Sequence, residues 1–264
     1  MEFIDSLKQF SSRIEALLPS IQTEEATKMS LVVPFFQLLG YDVFNPSEFC
    51  PEYIADVGIK KGEKVDYAIL FEGKPTILIE CKSSTEDLNK HSSQLFRYFG
   101  TTTAKFGILT NGKTYKFYTD LDETNKMDLI PFLEVDLLSS TDQKLNELKK
   151  FTKSNFDSDK IFSNAEDLKY TNLVKEYILK EIDSPSETFV KSIVSGVYDG
   201  IKTQKIIEKF TPIVKKSFNQ LFNEMVNNRL TAAITKDEEP EEIVEEIPVS
   251  KIITTEDEIQ AFLI

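Results

Sequence analysis

Cysteine, histidine and long apolar runs are all scarce in this chain of 264 residues. The two cysteines, Cys50 and Cys81, lie far from any CxxC or His-rich context, so neither a disulfide framework nor a structural zinc site is expected. The single histidine, His91, is given no role. No stretch reaches the roughly 18 uninterrupted apolar residues of a membrane span, and the N-terminal MEFIDSLKQF mixes acidic and apolar residues rather than running from basic to apolar. Membrane insertion and export by a signal peptide are therefore not expected, and the chain reads as cytoplasmic. Basic residues are also in deficit, 31 Lys and Arg against 44 Asp and Glu, for a net charge of −13. That balance makes a strongly cationic nucleic-acid clamp not the first expectation. Much of the acidity sits at the C-terminal end, where residues 236–264 hold 2 basic and 10 acidic groups.

What remains is an ordinary globular composition, 41% apolar and 28% charged, long enough for one large core or two modest domains. No internal repeat is found. Residues 23–39 predict a helix, with Thr23 as N-cap, Glu24 and Glu25 in the first turn, Gly40 as the stop and Pro34 as its one blemish. Short β-branched and aromatic runs follow in pairs: VDYAILF and TILIECK around EGKP, then FGILT and TYKFYT around NGK. Each pair predicts a hairpin, and the residues between them, 86–103, place Leu88, Leu95, Phe96 and Phe99 at helical spacing. The order is that of an α/β domain over 1–138. Residues 139–235 read as an all-helical domain, with Ser184-Pro185-Ser186-Glu187 as a helix start and Gly200 as a C-cap. Residues 236–264 read as an acidic linker leading to an amphipathic turn, the beginning of a truncated further domain or a docking helix.

The residues that carry chemistry lie between 64 and 83. In TILIECK, side-chain alternation puts Glu80 and Lys82 on the face of Leu78, and Ile79 and Cys81 on the other. Opposite charges on a strand apolar enough to be central need a reason, because buried charges are costly unless paired or metal-bound. Asp66 and Glu80 are each seven residues from Gly73, so a hairpin folded about that glycine brings them opposite one another. Two carboxylates and a lysine so arranged suit a Mg²⁺ or Mn²⁺ site for phosphodiester hydrolysis. Asp66 and Glu80 would bind the ion with help from the Cys81 carbonyl, and Lys82 would orient or help deprotonate a water. A buried salt-bridge cluster in an ordinary α/β domain is the structural alternative.

The Asp66-x13-Glu80-x-Lys82 pattern resembles the PD-(D/E)xK nuclease superfamily, with Val65-Asp66 standing for its "PD" and Glu80-Cys81-Lys82 for its "ExK". Two further features add to it. Gln94 and Tyr98, four apart and hence on one helix face, match the QxxxY extension of RecB-like nucleases and of type I restriction R subunits. With Phe35 at 0° and about 100° per residue, Leu31, Val32, Leu38 and Leu39 fall within about 60°, and Glu24 at about −20°, inside the apolar stripe. Glu25, at about +80°, is nearer its rim. A Glu on the inward face fits that superfamily's first-helix acid. Over about residues 20–135 the chain resembles the N-terminal domain of type I restriction R subunits, without their translocase motor. The resemblance implies a restriction-endonuclease-like mixed sheet flanked by helices, and DNA cleavage in restriction or prophage defence. It implies Asp66 and Glu80 as metal ligands, Lys82 as catalytic lysine, Glu24 as accessory acid, and Gln94 and Tyr98 as supports of the site or the DNA. The partners it implies are DNA and other restriction or defence subunits. A non-catalytic DNA- or protein-binding adaptor on the same fold is the alternative function.

Lys60, Lys61 and Lys64, in a glycine-bearing loop, are candidate phosphate contacts. Cys81 lacks a partner base and reads as a small buried hydrophobe. Residues 107–114, GILTNGKT, fit the P-loop expression, yet the stretch reads as strand, type I′ turn on Asn111-Gly112, and strand. No bound nucleotide is expected.

Overall fold

The computed structural model describes residues 3–54, 64–90 and 93–237. Lys60, Lys61, His91 and the expected acidic linker and terminal turn beyond residue 237 lie outside them. Contacts divide the chain into two units, Met1–Ile178 and Leu179–Ile264, each described by itself. No helix among the described residues is long and apolar enough to cross a membrane.

The first unit is built on a six-stranded sheet in sequential order: β1 (Phe49–Ile54), β2 (Lys64–Phe71), β3 (Lys74–Cys81), β4 (Phe106–Thr110), β5 (Thr114–Tyr118) and β6 (Leu133–Asp136). All neighbours are antiparallel except β3 and β4, which run parallel. A parallel pair needs a crossover, and α4 (Ser93–Phe99), after a 3₁₀ turn at Leu88–Lys90, supplies it. The helical span expected over 86–103 is thus shorter: Leu88–Lys90 is 3₁₀, Ser93–Phe99 is α-helix, and residues 100–102 already turn towards β4. The β2–β3 turn places both Glu72 (φ 51°) and Gly73 (φ 76°) in the left-handed region, as a type I′ turn requires. The β4–β5 turn differs from expectation. Of its central residues only Gly112 has positive φ (82°), the pattern of type II′, and Asn111 instead braces the turn by accepting from the Thr114 N–H through its side chain (3.0 Å).

Alternation sorts the strand residues into two cores. Ile69, Ile77, Ile79, Cys81, Phe106, Ile108, Tyr115 and Phe117 face one layer, and Val65, Ala68, Leu78 and Leu109 face the other. The second layer is closed by α4, through Leu95, Tyr98 and Phe99. The first is covered by α1 (Phe3–Leu17) and by a continuous helix made of α2 (Glu24–Thr27), a π-turn (Lys28–Val32) and α3 (Val33–Leu38). It is also covered by α5 (Asp142–Lys149), the turn after it and the start of α6 (Ser158–Asp183), which insert Leu145 and Leu148, Phe151, and Ile161 and Ala165 respectively. The boundary expected at 138/139 therefore falls inside the first unit, because these apolar side chains complete the sheet's own core. Lys169 on α6 is tied in the same unit to Asp122 (2.8 Å) and Asp128 (2.9 Å). In the second unit α7 (Glu187–Val197) and α8 (Gln204–Asp237) pack through Val190, Val194, Ile207 and Val214. Ser186 caps α7 by accepting from the Phe189 N–H (3.2 Å), and α7 ends at Val197, three residues before the glycine expected as its cap.

Pro34 explains the π-turn. It has no N–H for the Ser30 carbonyl, and its ring would crowd that carbonyl in a regular α-helix. The helix widens just before it, and Val33 N–H reaches back to the Lys28 carbonyl, five residues away. The extra residue rotates Glu24–Thr27 by about 100° relative to Phe35. Thr27 is thereby turned into the core, and Glu24 moves from the centre of the apolar stripe to its edge; Lys28 is buried beside it.

The β4–β5 turn fixes this helix in place. A Cβ on Gly112 would lie 2.8 Å from both Cβ and Cδ1 of Leu31 and 3.0 Å from Cγ2 of Thr27, whereas a Cβ on Gly73 would meet nothing within 4 Å. Gly73→Ala is expected to cost about 1–2 kcal/mol for its positive φ alone. Gly112→Ala is expected to cost about 1–3 kcal/mol more for the clash. Urea unfolding of both variants checks this, and equal losses would show that the turn does not press on the helix.

Candidate active site

The site grows from the β2–β3 hairpin. Its register pairs Tyr67 with Ile79 and Ala68 with Leu78, so Asp66 and Glu80 are the next residues to face one another. Because β3 lies between β2 and β4, Glu80 is enclosed on both sides, and its side chain is 2% exposed. Lys82 follows the end of β3 and prolongs the ladder by donating its N–H to the Thr110 carbonyl (2.8 Å). Its Nζ returns to Glu80 Oε1 (2.7 Å) and lies 3.9 Å from Glu24 Oε2.

The first helix closes the site from the other side. Lys28 Nζ is 2.6 Å from Asp66 Oδ1 and 2.9 Å from Oε1 of both Glu24 and Glu25. Asp66 Oδ2 accepts the Cys81 N–H (2.7 Å), so Cys81 touches the site through its backbone. Thr27, fully buried, accepts from the Ser84 N–H (3.0 Å), and Ser84 Oγ donates to the Ile21 carbonyl (3.3 Å). These bonds stitch the start of the helix to the segment after Lys82, so both acidic strands and the helix acids share one frame.

Four carboxylates, Asp66, Glu80, Glu24 and Glu25, thus meet two ammonium groups, an excess of two negative charges when all are ionised. Burial, with the neighbouring Asp66 charge, pushes the pKa of Glu80 up to about 7 even though Lys82 opposes it. Burial works against the charge of Lys28, but hydrogen bonds to Asp66, Glu25 and Glu24 outweigh it and hold the pKa above its ordinary value. Lys82 behaves alike, burial being outweighed by Glu80. Both lysines are cations here, so Lys82 can orient a water or steady negative charge but has no lone pair with which to take a proton. The Cys81 thiol is pushed well up by burial, which removes it as a nucleophile.

Glu80 Oε2 is buried with no hydrogen-bond partner. An orphaned carboxylate oxygen beside a surplus of negative charge fits a hard divalent cation. Among the described residues no three Asp, Glu, Cys or His side chains gather closely enough to hold an ion alone. That suits Mg²⁺, which keeps several waters and takes one or two carboxylates.

The remaining expected residues are placed differently. Gln94 Nε2 donates to the Lys64 carbonyl (3.3 Å) at the start of β2, bracing that strand two residues from Asp66. Tyr98 is 1% exposed in the second core, a packing position rather than a surface for DNA. Lys64 pairs with Glu52 (2.6 Å) at the surface. GILTNGKT forms β4, its turn and β5, with no helix opening where a P-loop needs one. Lys28 went unmarked in the sequence, although on the same wheel it falls at about +20° from Phe35, a lysine amid the apolar stripe.

Residues 59–126 match the family model described as Type I restriction enzyme R protein N terminus (HSDR_N). The matched stretch contains Asp66, Glu80, Lys82, Gln94 and Tyr98 and leaves Glu24 and Lys28 outside it. No match was found among curated proteins or among solved structures. The stretch that brings Asp66, Glu80 and Lys82 together belongs to the N-terminal family of type I restriction enzyme R proteins.

Proposed function

We propose that the chain is a cytoplasmic, Mg²⁺-dependent DNA endonuclease of restriction or prophage-defence type, with its site at Asp66, Glu80 and Lys82 on a PD-(D/E)xK fold. The observation that carries this reading is Glu80: a carboxylate in the middle of a sheet, one oxygen on Lys82 and the other buried without a partner. The family match supports a restriction-related role, with DNA and other defence subunits as partners.

Glu80 and Asp66 would hold the ion, with Glu24 at the rim able to accept one of its waters. The chemistry such an ion supplies when bound is to make a nearby water more acidic and to offset charge on the phosphate. Lys82, fixed by Glu80, is aimed so that its ammonium orients that water or steadies the developing negative charge. The Cys81 N–H keeps Asp66 oriented, and Gln94 keeps the start of β2 in register. One observation favours the adaptor reading: both oxygens of Asp66 are already engaged, by Lys28 and by Cys81. Incubation with supercoiled plasmid and Mg²⁺ decides between the two.

Asp66→Asn, Glu80→Gln and Lys82→Met should each lower the rate of plasmid cleavage by about 100-fold or more, with unchanged circular dichroism. Metal-dependent cutting that survives Glu80→Gln in a clean preparation would sink the proposal.

The raised pKa of Glu80 has a separate readout. An acid whose folded pKa exceeds its unfolded value stabilises the fold below the unfolded value of about 4.5, and this contribution is lost as pH rises through about 7. At pH 8 the ionised Glu80 of metal-free protein costs on the order of 3 kcal/mol. Glu80→Gln should therefore raise the melting temperature at pH 8 and change it little at pH 4.5. Mg²⁺ should stabilise the parent protein at pH 8 and not the variant. Equal melting shifts at both pH values would show that Glu80 carries no such strain.

A further inference from the structure

Lys28 is the one group in the site that neither the hairpin motif nor the helix acid accounts for. Its ammonium has three protons, and three carboxylates stand ready for them: Asp66 Oδ1 at 2.6 Å, Glu24 Oε1 at 2.9 Å and Glu25 Oε1 at 2.9 Å. Its side chain is 11% exposed, at the first position of the π-turn. Of its three partners, Asp66 would hold a divalent ion beside Glu80, and Glu24 would accept one of that ion's waters.

We propose that Lys28 is a resident cation that competes with the divalent ion for the same carboxylates. In metal-free protein it holds Asp66 and Glu24, and an ion that takes the Asp66 oxygen displaces the ammonium. The inference rests on the metal-ion reading of the site. Two cations cannot share one carboxylate oxygen at bonding distance without strong repulsion. Once displaced, Lys28 is a largely buried charge in need of an anion. Glu25, 79% exposed and on the same helix, is one such anion, and a phosphate of bound DNA is the other. Where the phosphate takes that place, ion loading and DNA binding strengthen each other by the same factor. Lys28 thus acts as a positioning residue that keeps the acids together without the ion and makes loading depend on substrate.

The test is Mn²⁺ affinity of the full chain, followed by the electron paramagnetic resonance of free Mn²⁺. Lys28→Gln should bind Mn²⁺ about tenfold tighter or more. Lys28→Arg, which keeps the charge, should bind like the parent protein. Glu80→Gln separates the two readings: if it abolishes Mn²⁺ binding while Lys28→Gln leaves affinity unchanged or weaker, the metal site stands and the competition is overturned. If neither the parent protein nor Lys28→Gln binds Mn²⁺, the site reading falls and the competition with it. A measurement on the unsubstituted protein covers the case in which the Lys28 variants do not fold. Acylation by an N-hydroxysuccinimide ester, read by mass spectrometry, should modify Lys28 several-fold faster at saturating Mn²⁺, and an unchanged rate overturns the proposal.

Discussion

The structure depends on keeping a negative carboxylate inside a β-sheet. Glu80 lies between two hydrogen-bonded neighbours, with Leu78 and Ile79 immediately before it in the core. A carboxylate there is tolerated only where the surroundings answer its charge. Much of the local architecture does so. The hairpin brings Asp66 across from Glu80, Lys82 folds back onto it, and Lys28 reaches Asp66 from the first helix. None of these parts is explained by packing alone, and together they still leave one oxygen of Glu80 without a partner.

The hairpin could be read from the sequence because its geometry is local. Gly73 fixes the turn, counting back from it pairs Asp66 with Glu80, and period-2 alternation assigns faces. The first helix was legible as an element but not in its detail. A uniform 100° step puts Glu24 at the centre of the apolar face, whereas the π-turn ahead of Pro34 shifts it to the rim and presents Thr27 instead. Pro34 is the visible mark of that irregularity. The role of residues 142–165 was hidden for a different reason. Helical periodicity says that Leu145, Leu148 and Phe151 line one face, but not which surface receives them, and in the structure it is the sheet. Tyr98 lies on the expected helix, and its burial in the second core could not be read from spacing, which does not tell a buried aromatic from an exposed one.

The net charge of −13 has no simple relation to what the site attracts. The acidic cluster is local and partly enclosed, so its potential acts over a few ångströms on whatever enters, and distant surface charges are screened by salt. Ten of the 44 acidic residues lie in the last 29 positions, outside the described residues except Asp237.

The dependence of the sheet on its flanks bears on what counts as the heritable unit. The stretch that matches a family holds β2 to β5, yet Phe106 and Phe117 within it rest on Phe132 and Phe151 outside it. Its acidic hairpin likewise takes its counter-charge from a helix that precedes it. A signature of 68 residues thus marks less than the unit that folds, because the sheet also takes apolar volume and one well-placed cation from its flanks. Recognisable sequence and foldable sequence are different lengths of this chain, and recombination that moved the signature without its flanks would move a motif and not a domain.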